Sequence, residues 1–259
     1  MSEENAIVLP MEKVPASHHN PKNLIIFSKP KTGKTSLLAG LEGALILDLE
    51  DGSDFVDAVK IKARSIADIR AIGKAIKEAG YPYKYIGIDT ITALEDMAID
   101  YAEEIYAKTP MGKGWFEATR DGERSGKEKY GNILNMPEGA GYKWHREAYQ
   151  KVLDYIMTWA PNIIQLGHVK DIKLEKSGAE FNAMDLDITG KLKRIVTSKS
   201  DSIGYLYRKG NKNVLSFITS DEVLCGSRPM HLSNKEIILS ERAEDGTLTL
   251  HWDRIYINK

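Results

Sequence analysis

Cysteine is all but missing from this chain: Cys225 stands alone among 259 residues. One thiol closes no disulfide, so nothing in the cysteine usage points to secretion. Long apolar runs are missing as well. None approaches the ~20 residues that a membrane helix needs, and no membrane partner is expected. The opening Met-Ser-Glu-Glu-Asn carries neither the positive charge nor the apolar stretch of a signal peptide, so a cytoplasmic location is expected. Charge of one sign is lacking too, with 36 Lys and Arg against 37 Asp and Glu and a net charge of -1. Such a balance excludes a uniformly basic coat for nucleic acid, although a total says nothing about where the charges lie. Internal repeats and low-complexity tracts are absent. What is present is 42% hydrophobic residues over a length that suits one large or two small domains, one being the expectation.

Short apolar runs bounded by turn residues predict strands at 23–27, 44–48, 85–89 and 162–167. Helices are predicted between them: at 34–41; from Ser65, where Ser-Ile-Ala-Asp resembles a capping box, to Gly80; after Asp89 with Leu94, Met97, Tyr101 and Ile105 on one face; and at 143–159. Residues 108–142 hold seven of the 21 glycines without steady periodicity and read as a long mobile loop. Beyond Lys170 a polar stretch leads to a hairpin at 203–207 and 213–219, then short strands at 236–239, 247–251 and 255–257. Strands alternating with helices, followed by antiparallel strands, predict an α/β fold: a mostly parallel sheet flanked by helices with an antiparallel extension. The divisions are an irregular arm at 1–22, a core at 23–240 and a C-terminal β extension at 241–259.

The strongest chemical signal is Ser28-Lys29-Pro30-Lys31-Thr32-Gly33-Lys34-Thr35, followed by Ser36. The P-loop pattern is Gly, four residues, then Gly-Lys-Ser/Thr between a strand and a helix, and all but its first glycine is here. Backbone N–H groups of such a loop form an anion nest, Lys34 reaches the terminal phosphates and Thr35 holds magnesium. Asp89 closes an apolar strand, where P-loop enzymes place a second magnesium ligand. Thr90 follows it instead of the glutamate many ATPases carry there. A water-activating carboxylate therefore has to come from elsewhere, and 47–51 (Leu-Asp-Leu-Glu-Asp) at the end of the neighbouring strand supplies Glu50, with Asp48 as the alternative. His168, after the fourth strand, stands where a side chain can sense the terminal phosphate; Gln165 lies one layer deeper.

A P-loop, a carboxylate ending the next strand, an Asp without a following Glu and a polar residue closing the strand after it resemble a RecA-type P-loop ATPase core. More closely, the compact length and the Pro-Lys-Thr-Gly-Lys-Thr loop resemble the phage minimal RecA-core proteins of the Sak group, which are single-strand-annealing recombinases. The segments 141–149 (Gly-Tyr-Lys-Trp-His-Arg-Glu-Ala-Tyr) and 225–228 (Cys-Gly-Ser-Arg) are also similar to that group, and the resemblance spans about residues 23–230. It implies ATP with Mg2+, single-stranded DNA as partner, a homo-oligomeric ring or filament, a single-strand-binding protein as a further partner, and a phage-encoded protein acting in the host cytoplasm.

RecA-type cores place DNA-binding loops after the magnesium-binding Asp and after the sensor strand, which here are 108–142 and 170–190. The first offers Lys113, Trp115, Phe116, Arg120, Arg124, Lys127 and Lys129, basic and aromatic residues suited to backbone contact and base stacking; the second offers Lys173 and Lys176. Charge is also separated along the chain. Residues 189–212 hold seven basic side chains against Asp201 alone, whereas 42–58 hold six acids and no base. In such assemblies a Lys or Arg of one subunit completes the next subunit's site, and Arg228 and Lys193 are the candidates. The expected activity is ATP hydrolysis coupled to single-stranded DNA in annealing or recombination. The rivals are a replicative-helicase-type motor and a nucleotide-gated assembly or regulatory ATPase that does not bind DNA.

Overall fold

The computed structural model describes residues 9–118, 122–176, 179–220 and 223–258. Arg120 lies outside the described residues, and of Lys176 only the backbone is described. The chain enters β1 (Asn23–Ser28), buried throughout, and turns through the phosphate-loop sequence into α1 (Lys34–Ala39). There follow β2 (Ala44–Asp48), the short β3 (Lys60–Lys62), α2 (Ile66–Glu78), β4 (Tyr85–Asp89) and α3 (Ile91–Ala107). A connection carrying α4 (Gly126–Tyr130) leads to α5 (Gly141–Ile156). Then come β5 (Asn162–Lys176), β6 (Ala179–Leu186), α6 (Gly190–Ser198), β7 (Ser202–Lys209), β8 (Lys212–Ser216), β9 (Gly226–Ser227), β10 (Glu236–Arg242) and β11 (Leu248–Leu250).

The sheet runs β11-β10-β8-β7-β1-β5-β4-β2-β3, with β6 paired to β5 and β9 to β7. Neighbours from β7 to β3 are parallel, and the strands beyond β7 are antiparallel. The predicted α/β architecture with an antiparallel extension is the one observed. Strand alternation assigns the two faces. Ile25, Phe27, Leu45, Leu47, Ile86 and Ile88 join one core with residues of α2, α3 and α5, while Leu24, Ile26, Ile46, Ile164 and Leu166 join a second with α1 and the C-terminal segment. Gly87 on β4 lets α1 lie close to the sheet, since a Cβ there would meet Leu38 Cδ2 at 2.0 Å. In α2, Ser65 caps the N-terminus by accepting from Asp68 N–H, and Ile69, Ile72 and Ile76 are buried. Each contributes about 1.5–3 kcal/mol before chain entropy is counted.

Three expectations need correction. The fourth strand does not stop at 167: it continues to Lys176 and pairs antiparallel with β6, so 170–190 is a β-arm and the start of α6 rather than a loop. The alternation that begins at Ile172 and Lys173 carries the pleat onward. Residues 108–118 and 122–142 are ordered rather than a mobile loop. Short helices at Pro110–Gly112, Ile133–Asn135 and Pro137–Gly139 flank α4, whose N-terminus Ser125 and Glu128 close with a capping box. A buried acid pins this connection: Glu103 of α3 accepts from Lys127 Nζ at 2.8 Å and from Ile133 N–H at 3.2 Å. Finally, 255–257 is not a strand. A turn of 3-10 helix at Trp252–Arg254 aims the Trp252 indole N–H at Leu37 O, 2.8 Å away, and ties the C-terminal segment to α1.

Candidate active site

Parallel register brings the predicted residues to one edge. Ser28 lies opposite His168 across β1 and β5, and Asp48 lies opposite Asp89 across β2 and β4. Ser28, Asp48 and Asp89 end their strands, and His168 ends the parallel-paired part of β5, at the carboxyl side of the sheet, where open α/β sheets bind ligands. Between β1 and α1 the loop takes left-handed backbone at Lys31 (φ 60°) and Gly33 (φ 102°), and Thr32 Oγ1 donates to Lys29 O at 2.7 Å. Ser28 stands where the pattern has its first glycine. Fully buried, its hydroxyl accepts from Lys34 Nζ at 3.1 Å, so the departure supplies a resting partner for the lysine.

Thr35 Oγ1 donates to Asp89 Oδ2 at 2.6 Å. Burial pushes the Asp89 carboxyl above its ordinary value; Thr35 and Lys34 oppose this, while Glu50 and Asp48 add to it. Burial likewise lowers the Lys34 ammonium, and the charges of Asp89 and Glu50 resist that shift. A half-buried hydroxyl beside a buried carboxylate, with further carboxylates near and Lys34 as the opposing charge, is a hard-oxygen donor set that fits Mg2+.

Asp48 and Glu50 divide their roles. Asp48 is fully buried and accepts from the N–H groups of Glu50 (3.0 Å) and Ser53 (3.1 Å) and from the Ser53 hydroxyl. Burial would raise its carboxyl, but these hydrogen bonds and Lys62 hold it below the ordinary value. It shapes the turn that carries Glu50. Leu49 N–H extends the ladder to Asp89 O at 2.7 Å, which sets Glu50 beside β4. There Glu50 accepts from the Thr90 hydroxyl and lies 3.2 Å from His168 Nε2 through Oε2. The His168 hydrogen bond, with help from Thr90, His168 charge and Lys34, overcomes burial and keeps Glu50 below its ordinary value, ionised at neutral pH. An ionised carboxylate at this edge, a third exposed, can orient and deprotonate water.

The oxygens of Asp48, Asp51 and Asp54 also converge. Lys62 bridges Asp51 at 2.7 Å and Asp54 at 2.5 Å, and Arg64 pairs with Asp51, so this cluster is matched by cations.

The remaining predicted residues scatter. Trp115 is 2% exposed and packs against Tyr106 and Tyr130, so it is a core residue and not a stacking platform; Phe116, the next residue, is 53% exposed. Lys127 is turned inward to Glu103, while Lys113, Arg124 and Lys129 are exposed. Lys173 is exposed on the β5–β6 arm. Arg228 binds Asp201 at 3.2 Å and Ser198 O at 2.9 Å, and Asp201 accepts from Lys22 and Asn23 N–H at the start of β1, the far end from the phosphate loop. Lys193 pairs with Asp185. Sequence reasoning missed Thr90, Ser53 and the acceptor role of Ser28: Thr90 meets Glu50 only through the pairing of β2 with β4, while Ser53 and Ser28 act through the local turn and loop geometry around Asp48 and Lys34.

A family model described as an AAA domain matches residues 20–229. No curated protein matches the chain in sequence. Among solved structures it is similar to the RadB recombinase, at 11% identity and a TM-score of 0.43 over 88% of this chain and 90% of that one. It is also similar to a KaiC-like protein from the hyperthermophilic archaeon Pyrococcus horikoshii OT3, at 12% identity and a TM-score of 0.40 over 89% and 90% of the two chains.

Proposed function

The chain belongs to the AAA domain family, and from that premise we propose that it hydrolyses ATP at the β1–α1 loop and couples this to a grip on single-stranded DNA. Lys29 to Ser36 cradle the phosphates, with Ser28 releasing Lys34 to the terminal one. Thr35 and Asp89 would hold Mg2+, which would neutralise charge on the phosphate oxygens. Glu50 takes the proton of the attacking water. The observation that carries the reading is the Glu50 carboxylate, held ionised by Thr90 and His168 on the same edge as Lys34, Thr35 and Asp89. His168 is followed at once by Val169, where β5 begins its pairing with β6. A change in the Glu50–His168 contact thus passes directly into the arm that bears Lys173.

DNA contact is supported by Lys113, Phe116, Arg124 and Lys129 on the exposed side of the α3–α5 connection and by the basic residues of α6. Assembly into a ring or filament fits this family of arrangements, with Arg228 or Lys193 reaching a neighbour's phosphates after leaving Asp201 or Asp185. The reading as a single-strand annealing or recombination protein is tested by ATP turnover titrated with single-stranded DNA at two salt concentrations. Stimulation that weakens at high salt is expected. Turnover indifferent to DNA, with no binding even at low salt, would leave the ATPase and remove the DNA. That outcome matches the second reading, a nucleotide-gated regulatory ATPase, which is favoured by the inward turn of Trp115 and Lys127 and by the internal pairing of Arg228 and Lys193.

A further inference from the structure

A cavity of about 570 Å³ opens beside the phosphate loop, between Gly33 and Ser36 on one side and the antiparallel strands on the other. Its volume is in the range of small-molecule sites. Three of its side chains form a row. Asn213 of β8 lies directly opposite Arg208 of β7 and Ser240 of β10, so all three share one face of the sheet. The register shift between Ile238 and Ser240 marks a bulge, a device that re-aims a side chain.

Two members of this row carry unmet hydrogen-bonding capacity. Asn213 is 8% exposed and Ser240 1%, yet Asn213 Oδ1 and Ser240 Oγ have no hydrogen-bond partner among the described residues. Leaving such groups unmet costs roughly 1–3 kcal/mol each, and a ligand in the cavity that bonds both would recover that cost. Arg208 is exposed and free of an ion pair among the described residues. Asn213, the middle member of the row, is the one set against the phosphate loop, its Nδ2 being 3.6 Å from the position a Cβ on Gly33 would take.

We propose that this row is the nucleoside subsite: Asn213 Oδ1 accepts from a ribose hydroxyl, Ser240 Oγ bonds the base edge, and the Arg208 guanidinium lies against the base plane. The order follows from position. Ser36, in the first turn of α1 just past the loop that cradles the inner phosphates, lines the cavity together with Asn213, so the ribose comes next, toward Asn213. A planar, permanently charged guanidinium stacks on a ring as well as it pairs. The antiparallel extension is thereby part of the ATP site. The inference rests on nucleotide binding at the phosphate loop, and its test separates the two.

Binding of ATP, of 2′,3′-dideoxy-ATP and of inorganic tripolyphosphate, each with Mg2+, is measured by calorimetry on the full chain, its Asn213→Ala and Arg208→Ala variants, and Lys34→Ala. Wild type is expected to prefer ATP to both analogues by about tenfold or more. Asn213→Ala should lose about tenfold for ATP, nothing for tripolyphosphate, and the ability to tell ATP from its dideoxy form. Arg208→Ala, at an exposed position that does not threaten folding, should weaken both nucleosides and spare tripolyphosphate. Equal binding of ATP and tripolyphosphate by wild type, or equal losses for all three ligands in the variants, overturns the subsite and leaves the phosphate loop standing. If wild type binds none of the three, or Lys34→Ala binds them as well as wild type, phosphate-loop binding itself fails.

Discussion

The sheet edge around Glu50 and the α3–α5 connection around Trp115 were both singled out by residue type, and they fare differently in the fold. At the sheet edge, position along a strand fixes position in space. Once β1, β2, β4 and β5 pair in parallel, Ser28, Asp48, Asp89 and His168 must arrive together. In the connection no such constraint operates, and adjacent residues part company: Trp115 enters the core while Phe116 meets solvent. Strand ends therefore translate a motif into a site, whereas an irregular connection translates the same alphabet of basic and aromatic residues into either core or surface.

Several substitutions test this contrast. The largest stability effect is expected from Trp115→Ala, which should cost about 3–5 kcal/mol in chemical unfolding as a buried aromatic; a loss below 1 kcal/mol would put Trp115 back on the surface. Lys127→Ala should cost about 1–3 kcal/mol by leaving the buried Glu103 without its cation, and should weaken single-stranded DNA binding no more than its stability loss explains. Phe116→Ala should do the reverse. Its stability should stay within about 0.5 kcal/mol of wild type, while single-stranded DNA affinity falls by about 1–3 kcal/mol if it stacks on a base.

The smallest effect is expected at His168. His168 is the main group holding Glu50 below its ordinary carboxyl value. The stability from that contact is present above the unfolded-state value and is lost as pH falls through the lower, folded one. His168→Ala should therefore move the acid limb of the pH–rate profile upward, toward the ordinary value of 4.5. An unmoved limb would disconnect His168 from Glu50.

The sheet, its helices and the ATP-site motif were legible because apolar period and strand-end acids are local signals. Ser65 through Ile76 is one such case, matched by the observed cap and buried face. What was not legible depends on contacts that residue type and period do not mark, some local and some between distant segments. Glu103 and Lys127 are what order the 108–142 region, yet nothing in a helix pattern marks Glu103 as buried. Asp48 and Glu50 look interchangeable in Leu-Asp-Leu-Glu-Asp, and only the Ser53 and Glu50 N–H groups assign Asp48 to the turn. The pairing of Asn213 with Ser240 arises from strands separated by the whole β9 region.

The most direct test of the account is single-turnover phosphate release by Glu50→Gln with ATP binding measured alongside. The carboxamide keeps the shape but cannot take a proton from water. Release is expected to fall by about 10²–10⁴-fold with ATP affinity within a few-fold of wild type; release at the wild-type rate would contradict the assignment of water activation to this edge of the sheet.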